Sequence, residues 1–75
     1  MAQKHAHFPV ILEQDEDGIY IVSCPAFRGC HSYGKTVAEA MERIEEAIAL
    51  CLEDEGMKPI NNFIGFREVQ LPIAV

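Results

Sequence analysis

What this chain lacks excludes most functions at once. A membrane span needs about 18 consecutive apolar residues, and no such run occurs here. The N-terminal MAQKHAHFPV has one Lys, no apolar h-region and no cleavage site, so it does not read as a signal peptide and a cytoplasmic location is expected. Bases are scarce: six Lys and Arg face twelve Asp and Glu, giving a net charge of −6 and a pI near 4.8. Neutralising phosphates needs a basic face, so direct nucleic-acid binding is not expected. There is no phosphate-cradling glycine loop and no basic patch with interleaved aromatics. Internal repeats, linkers and low-complexity tracts are also missing.

What remains is a small globular chain. At 75 residues, 49% hydrophobic and 24% charged, it forms one domain, residues 1–75. A chain of this size buries only about 60% of its unfolded surface, which implies a stability of roughly 4–8 kcal/mol. The acids are clustered. Glu13, Asp15, Glu16 and Asp17 form one group, seven more lie between Glu39 and Glu55, and Glu68 stands apart.

Read along the chain, Phe8, Val10 and Leu12 alternate with Ile11 in HFPVILE, the period-2 pattern of a strand. Pro9 lacks a backbone donor, so that strand is expected at a sheet edge or with a locally interrupted ladder. QDEDG then supplies turn chemistry, and IYIVSC is a second strand, so the two read as a hairpin. Pro25 ends the second strand, Gly29 permits a reversal, and Cys30–Tyr33 makes a short third strand before Gly34. Thr36-Val-Ala-Glu39 has the form of a capping box, in which the Thr hydroxyl accepts from the Glu39 amide and the Glu39 carboxylate reaches back. Val37, Ala40, Met41, Ile44, Ala47, Ile48, Cys51 and Leu52 recur at helical spacing, and Gly56 followed by Pro59 ends the helix. After a loop at Asn61 and Asn62, FREVQLPI alternates as a last strand. The order is β-β-β-α-β: an α+β domain, one helix packed on one face of an antiparallel sheet.

One helix covers one face only. Yet Ile19 and Ile21 lie on one side of the second strand and Tyr20 and Val22 on the other. The uncovered side therefore predicts a partner, either another copy or a different protein.

The chemistry-bearing residues point away from catalysis. Cys24 and Cys30 have five residues between them, not the two of a CxxC knuckle, and the adjacent Cys30 and His31 point opposite ways in a strand. Nothing fixes His5 and His7 near them, so no metal and no cofactor is expected. An odd cysteine count and the expected compartment argue against a disulfide. Cys24 and Cys30 read as small buried residues flanking a tight connection, and Cys51 as core filler on the helix. No base and orienting group accompany a cysteine nucleophile, and the first strand holds no internal acid for a divalent-metal nuclease. No enzyme is expected.

Three segments, FPVILEQDEDGIYIVSCP, FRGCHSYGKT and VAEAMERIEEAIALCLED, give the chain its kinship. Their CP…GC…G-x-T-x-x-E-A framework resembles that of the HicB-like antitoxin family, over about residues 8–55. It is a framework of turns, caps and core: Cys24, Pro25, Gly29, Cys30, Gly34, Thr36, Glu39 and, beyond it, Gly56. The resemblance implies a degenerate ribonuclease-H-like fold without catalytic acids. It implies a toxin–antitoxin system in which the domain masks a small basic ribonuclease toxin of the HicA type, with a double-stranded-RNA-binding-like fold. Many members carry a further C-terminal DNA-binding domain; this sequence ends at Val75 after its last expected strand, and none is expected here.

Two functions stay open. One is an antitoxin-like module that covers a basic toxin. The other is a stand-alone homo-oligomeric structural or regulatory domain without a toxin, forming a dimer or a higher oligomer. For the first, the candidate partner-binding acids are the turn residues Asp15, Glu16 and Asp17 and the helix residues Glu42, Glu45, Glu46 and Glu53. The turn is placed first, because the helix acids alternate with Arg43.

Overall fold

The computed structural model describes residues 5–56 and 62–74. Three antiparallel strands, β1 (Ile11–Gln14), β2 (Tyr20–Ser23) and β3 (His31–Gly34), are followed by one helix, α1 (Val37–Glu55). The sheet order is β1-β2-β3. Leu12 pairs with Val22 and Val22 with Ser32, so these three share one face, and Ile21 pairs with Glu13 and Tyr33 on the other.

Each element starts and stops for a local reason. Asp15 closes the first hairpin: its Oδ1 accepts from the amides of Asp17 and Ile19, both at 2.9 Å. Its carbonyl accepts from the Gly18 amide at 3.0 Å, and Gly18 takes a φ of 85°. A side chain of L configuration adopts that backbone reluctantly. The β2–β3 connection is tied by the Cys24 amide donating to the Cys30 carbonyl at 2.9 Å and the Phe27 amide to the Cys24 carbonyl at 3.2 Å. Strand β1 begins at Ile11 and not at Phe8. Pro9 cannot donate to a ladder, and Phe8 instead packs its ring 5.7 Å from that of Phe27.

Thr36 caps α1, its Oγ1 accepting from the Glu39 amide at 3.1 Å. Only this half of the expected capping box forms. The Glu39 carboxylate turns forward to Arg43 Nη2 at 2.9 Å instead. At the other end Gly56, with φ 71°, donates its amide to the Leu52 carbonyl at 2.8 Å.

Val22, Cys24, Phe27, Cys30, Ala40 and Ile44 form the buried core, all from β2, the 24–30 connection and the first half of the helix. Phe8, Val10, Tyr20, Ala47, Ile48, Cys51 and Leu52 pack around it. Val37 and Met41 belong to the helical repeat but sit at its edge, exposed. Helix and sheet meet closely at Gly34, where a Cβ would stand 2.6 Å from the Ala40 amide nitrogen. No larger residue fits without moving backbone. The helix covers the Val22 face, and Ile11, Ile21 and Tyr33 remain on the side without a helix.

The expected last strand is absent. Residues 62–74 carry neither strand nor helix, so the described fold is β-β-β-α. A strand exists only where an edge pairs with it, and FREVQLPI has none in this chain. Its flanking loop at residues 57–61 lies outside the described residues.

Candidate protein-binding surface

The two groups of candidate acids behave differently once placed. In the β1–β2 turn, Asp15, Glu16 and Asp17 are all exposed. The Asp15 carboxylate is nevertheless engaged in holding the turn through the amides of Asp17 and Ile19. Only Glu16 and Asp17 present carboxylates without a hydrogen bond of their own there.

On α1, Glu42, Glu45, Glu46 and Glu53 project from the side opposite the Ala40–Ile44 stripe, and all are exposed. Glu42, Glu45, Glu46 and Ala49 line one shallow groove, and Leu50, Glu53 and Asp54 line the next. Leu50, beside Glu53 and Asp54, is 65% exposed. Arg43 does not neutralise it. Its guanidinium turns toward the sheet, donating to the Tyr33 carbonyl at 3.0 Å, pairing with Glu39, and lying 6.0 Å from the Tyr33 ring centroid. The side chains that line the two grooves are thus acidic apart from Ala49 and Leu50.

That face works against the helix that carries it. Glu42 and Glu46 are like charges one turn apart, which disfavours a helix by a few tenths of a kcal/mol. Glu53 and Asp54 occupy the last turn, where no base is present and the helix dipole presents its negative end.

The cysteines form a separate, internal cluster. Cys24 and Cys30 are buried, Cys51 is half-buried, and all three are free thiols. Burial pushes the Cys30 thiol from an ordinary value near 9.0 up to about 12, with a hydrogen bond to Cys51 adding to the effect. Cys30 is therefore neutral at physiological pH and a poor nucleophile. Among the described residues, no group of three His, Cys, Asp or Glu gathers to hold a metal. His5 and His7 are exposed near the N-terminus. Pro25, Gly29 (φ 74°) and Gly34 shape the backbone around the cysteines.

With three strands, one helix and an acidic outer face in place, the comparisons with known proteins agree on kind. Residues 8–64 match the family described as HicB_like antitoxin of bacterial toxin-antitoxin system. A UPF0150 protein of Synechocystis sp. is 45% identical over 62 residues, covering 83% of this chain and 90% of that protein. A UPF0150 protein of Archaeoglobus fulgidus is 42% identical over 64 residues, covering 85% and 93%. An uncharacterised 14.9 kDa protein of Haemophilus phage HP1 is 41% identical over 59 residues, but these are only 44% of its length. No solved structure matches. The chain belongs to the HicB-like antitoxin family. Among the described residues, no helix is long and apolar enough to cross a membrane.

Proposed function

We propose that this chain is a non-catalytic, cytoplasmic antitoxin-like module that masks a small basic ribonuclease toxin of the HicA type. The observation that carries this reading is the outer face of α1: Glu42, Glu45, Glu46, Glu53 and Asp54 around an exposed Leu50, with Arg43 turned away toward Tyr33. A toxin surface built to hold RNA phosphates is basic, and an acidic face with one apolar anchor is its complement. Its acids lie where they oppose helix stability, which favours a role in binding over one in folding. The degenerate ribonuclease-H-like character drawn from the family resemblance fits a domain that binds without catalysing. Glu16 and Asp17 would act at the rim, through steering.

The test uses the product of a short, strongly basic neighbouring reading frame as partner. In stopped-flow association at low salt, changing Glu42, Glu45, Glu46 and Glu53 to Gln should slow association and flatten its salt dependence. The change of Glu16→Gln with Asp17→Asn should do so less. Unaltered kinetics in the helix variant would overturn the assignment of this face.

A second reading, a homo-oligomer acting without a toxin, is favoured by a different observation. Apolar side chains stand exposed on residues 63–73, and Ile11, Ile21 and Tyr33 lie on the sheet face without a helix.

A further inference from the structure

The segment 62–74 is apolar, exposed and unpaired with the body of its own chain. Ile64 is 92% exposed, Val69 82% and Ile73 77%, with Phe66 and Leu71 little less open. The molecule reaches 56 Å along its longest axis and has a radius of gyration of 15.1 Å. A compact chain of this length would have about 11 Å. Monomers rarely keep so much contiguous apolar surface in water.

We infer that residues 66–73 of one molecule add as a fourth strand to the β1 edge of a second copy, and reciprocally, so that two chains exchange C-terminal segments. This rests on the homo-oligomer reading and names the contact that builds it.

The segment has the pattern of a strand with a defined outer side. Val69, Leu71 and Ile73 alternate with Glu68 and Gln70, so one face is apolar and the other polar. In a strand, the amides of alternate residues point to opposite edges. Pro72 has no amide to give, so the edge shared by residues 68, 70 and 72 faces solvent. The amides of Val69, Leu71 and Ile73 are then the ones that pair. A proline on the outer edge also blocks a further strand from adding.

The receiving edge is chosen by the helix. Arg43 donates to the Tyr33 carbonyl and lies against its ring, covering part of β3. Among the described residues, β1 has no comparable cover: its ladder runs to β2 alone. Beside that edge, Leu12 is 42% exposed on the helix-bearing face. An added apolar strand covers it. Each copy has one strand to give and one edge to receive it, which is the condition for a closed two-fold dimer.

The test is amide hydrogen exchange on the full chain at two concentrations, paired with sedimentation. In the concentrated sample, a dimer of the 8.4 kDa chain is expected, with the Val69 and Leu71 amides slowed by roughly 100-fold or more. Glu68 and Gln70 should exchange fast. Dilution to monomer should abolish the protection. The variant Val69→Asp with Leu71→Asp should sediment as a monomer with unchanged helical circular dichroism. Should that variant remain dimeric, strand exchange is wrong while the homo-oligomer reading stands. Wild-type monomer at every concentration overturns both. Protection that persists in the monomer overturns the exchange too, because the segment has then folded onto its own sheet. The exchange measurement needs no variant, so a misfolded mutant does not spoil it.

Discussion

Residues 8–56 and residues 62–74 are about equally apolar in sequence, yet one region is packed and the other is not. In the first, apolar side chains recur at periods that neighbouring elements share: Val22 from β2, Cys30 from the connection and Ile44 from α1 close on one another. In the second, Val69, Leu71 and Ile73 have an equally clear alternation and nothing to meet it, so all three stay exposed. Periodicity makes a segment capable of burial; only a facing surface makes it buried. The difference should appear directly in mutational energetics.

The widest gap is expected between two aliphatic truncations. Ile44→Ala removes a 2% exposed side chain and should cost about 2–5 kcal/mol. Leu71→Ala, in the dilute monomer, should change stability by less than about 0.5 kcal/mol. Urea unfolding of both at low concentration measures the gap. Equal losses would mean that the C-terminal segment is packed within the monomer.

Next comes the approach of helix and sheet. Gly34→Ala places a methyl 2.6 Å from the Ala40 nitrogen. The listener is backbone, which cannot rotate aside, so a loss of about 1–3 kcal/mol in denaturant unfolding is expected. Gly29→Ala meets no atom within 4 Å, and only its φ of 74° opposes it, so it should cost about 1 kcal/mol.

The acids of the first turn should separate from one another. Asp15→Ala removes the acceptor of two amides and should cost about 1–2 kcal/mol. Glu16→Gln and Asp17→Asn alter exposed charges and should each stay within about 0.5 kcal/mol. Thermal unfolding of the three variants decides this, and equal effects would contradict the role given to Asp15.

A last effect concerns pH and is confined to the alkaline range. Cys30 stays protonated in the folded chain up to about 12, against 9.0 ordinarily. An unfolded chain therefore releases this proton first, and the stability that Cys30 contributes is present below pH 9 and lost as pH rises toward 12. Comparison with Cys30→Ala isolates this part: the wild type should lose stability more steeply over that window.

Much of the fold was legible because its determinants are local. The Asp-rich turn with Gly18, the Thr36 cap and the Gly56 stop each lie within a few residues of what they control. What escaped depends on distant partners. FREVQLPI reads as a strand, but a strand requires an edge, and the sequence does not say whose. Glu39 was read as reaching back to Thr36, whereas Arg43, one turn on, takes its carboxylate. The same arginine lies elsewhere than its place among the helix acids suggests. In sequence it sits among the helix acids; in the fold it pairs with Glu39 alone of them and turns to the Tyr33 carbonyl. Asp15, grouped with Glu16 and Asp17 as a candidate partner-binding acid, instead spends its carboxylate on the turn itself, and the Asp-x-Asp-Gly spacing was the signal that could have revealed it.

The central claim, that the acidic face of α1 masks a basic ribonuclease partner, is tested most directly by growth. The chain is co-expressed with the short basic protein of the neighbouring reading frame, and both are confirmed to accumulate. The account predicts that the wild-type chain restores growth, and that changing Glu42, Glu45, Glu46 and Glu53 to Lys abolishes the rescue while the purified variant keeps its helix. Growth arrest that persists with the wild-type chain present, or rescue that survives the four charge reversals, would contradict it.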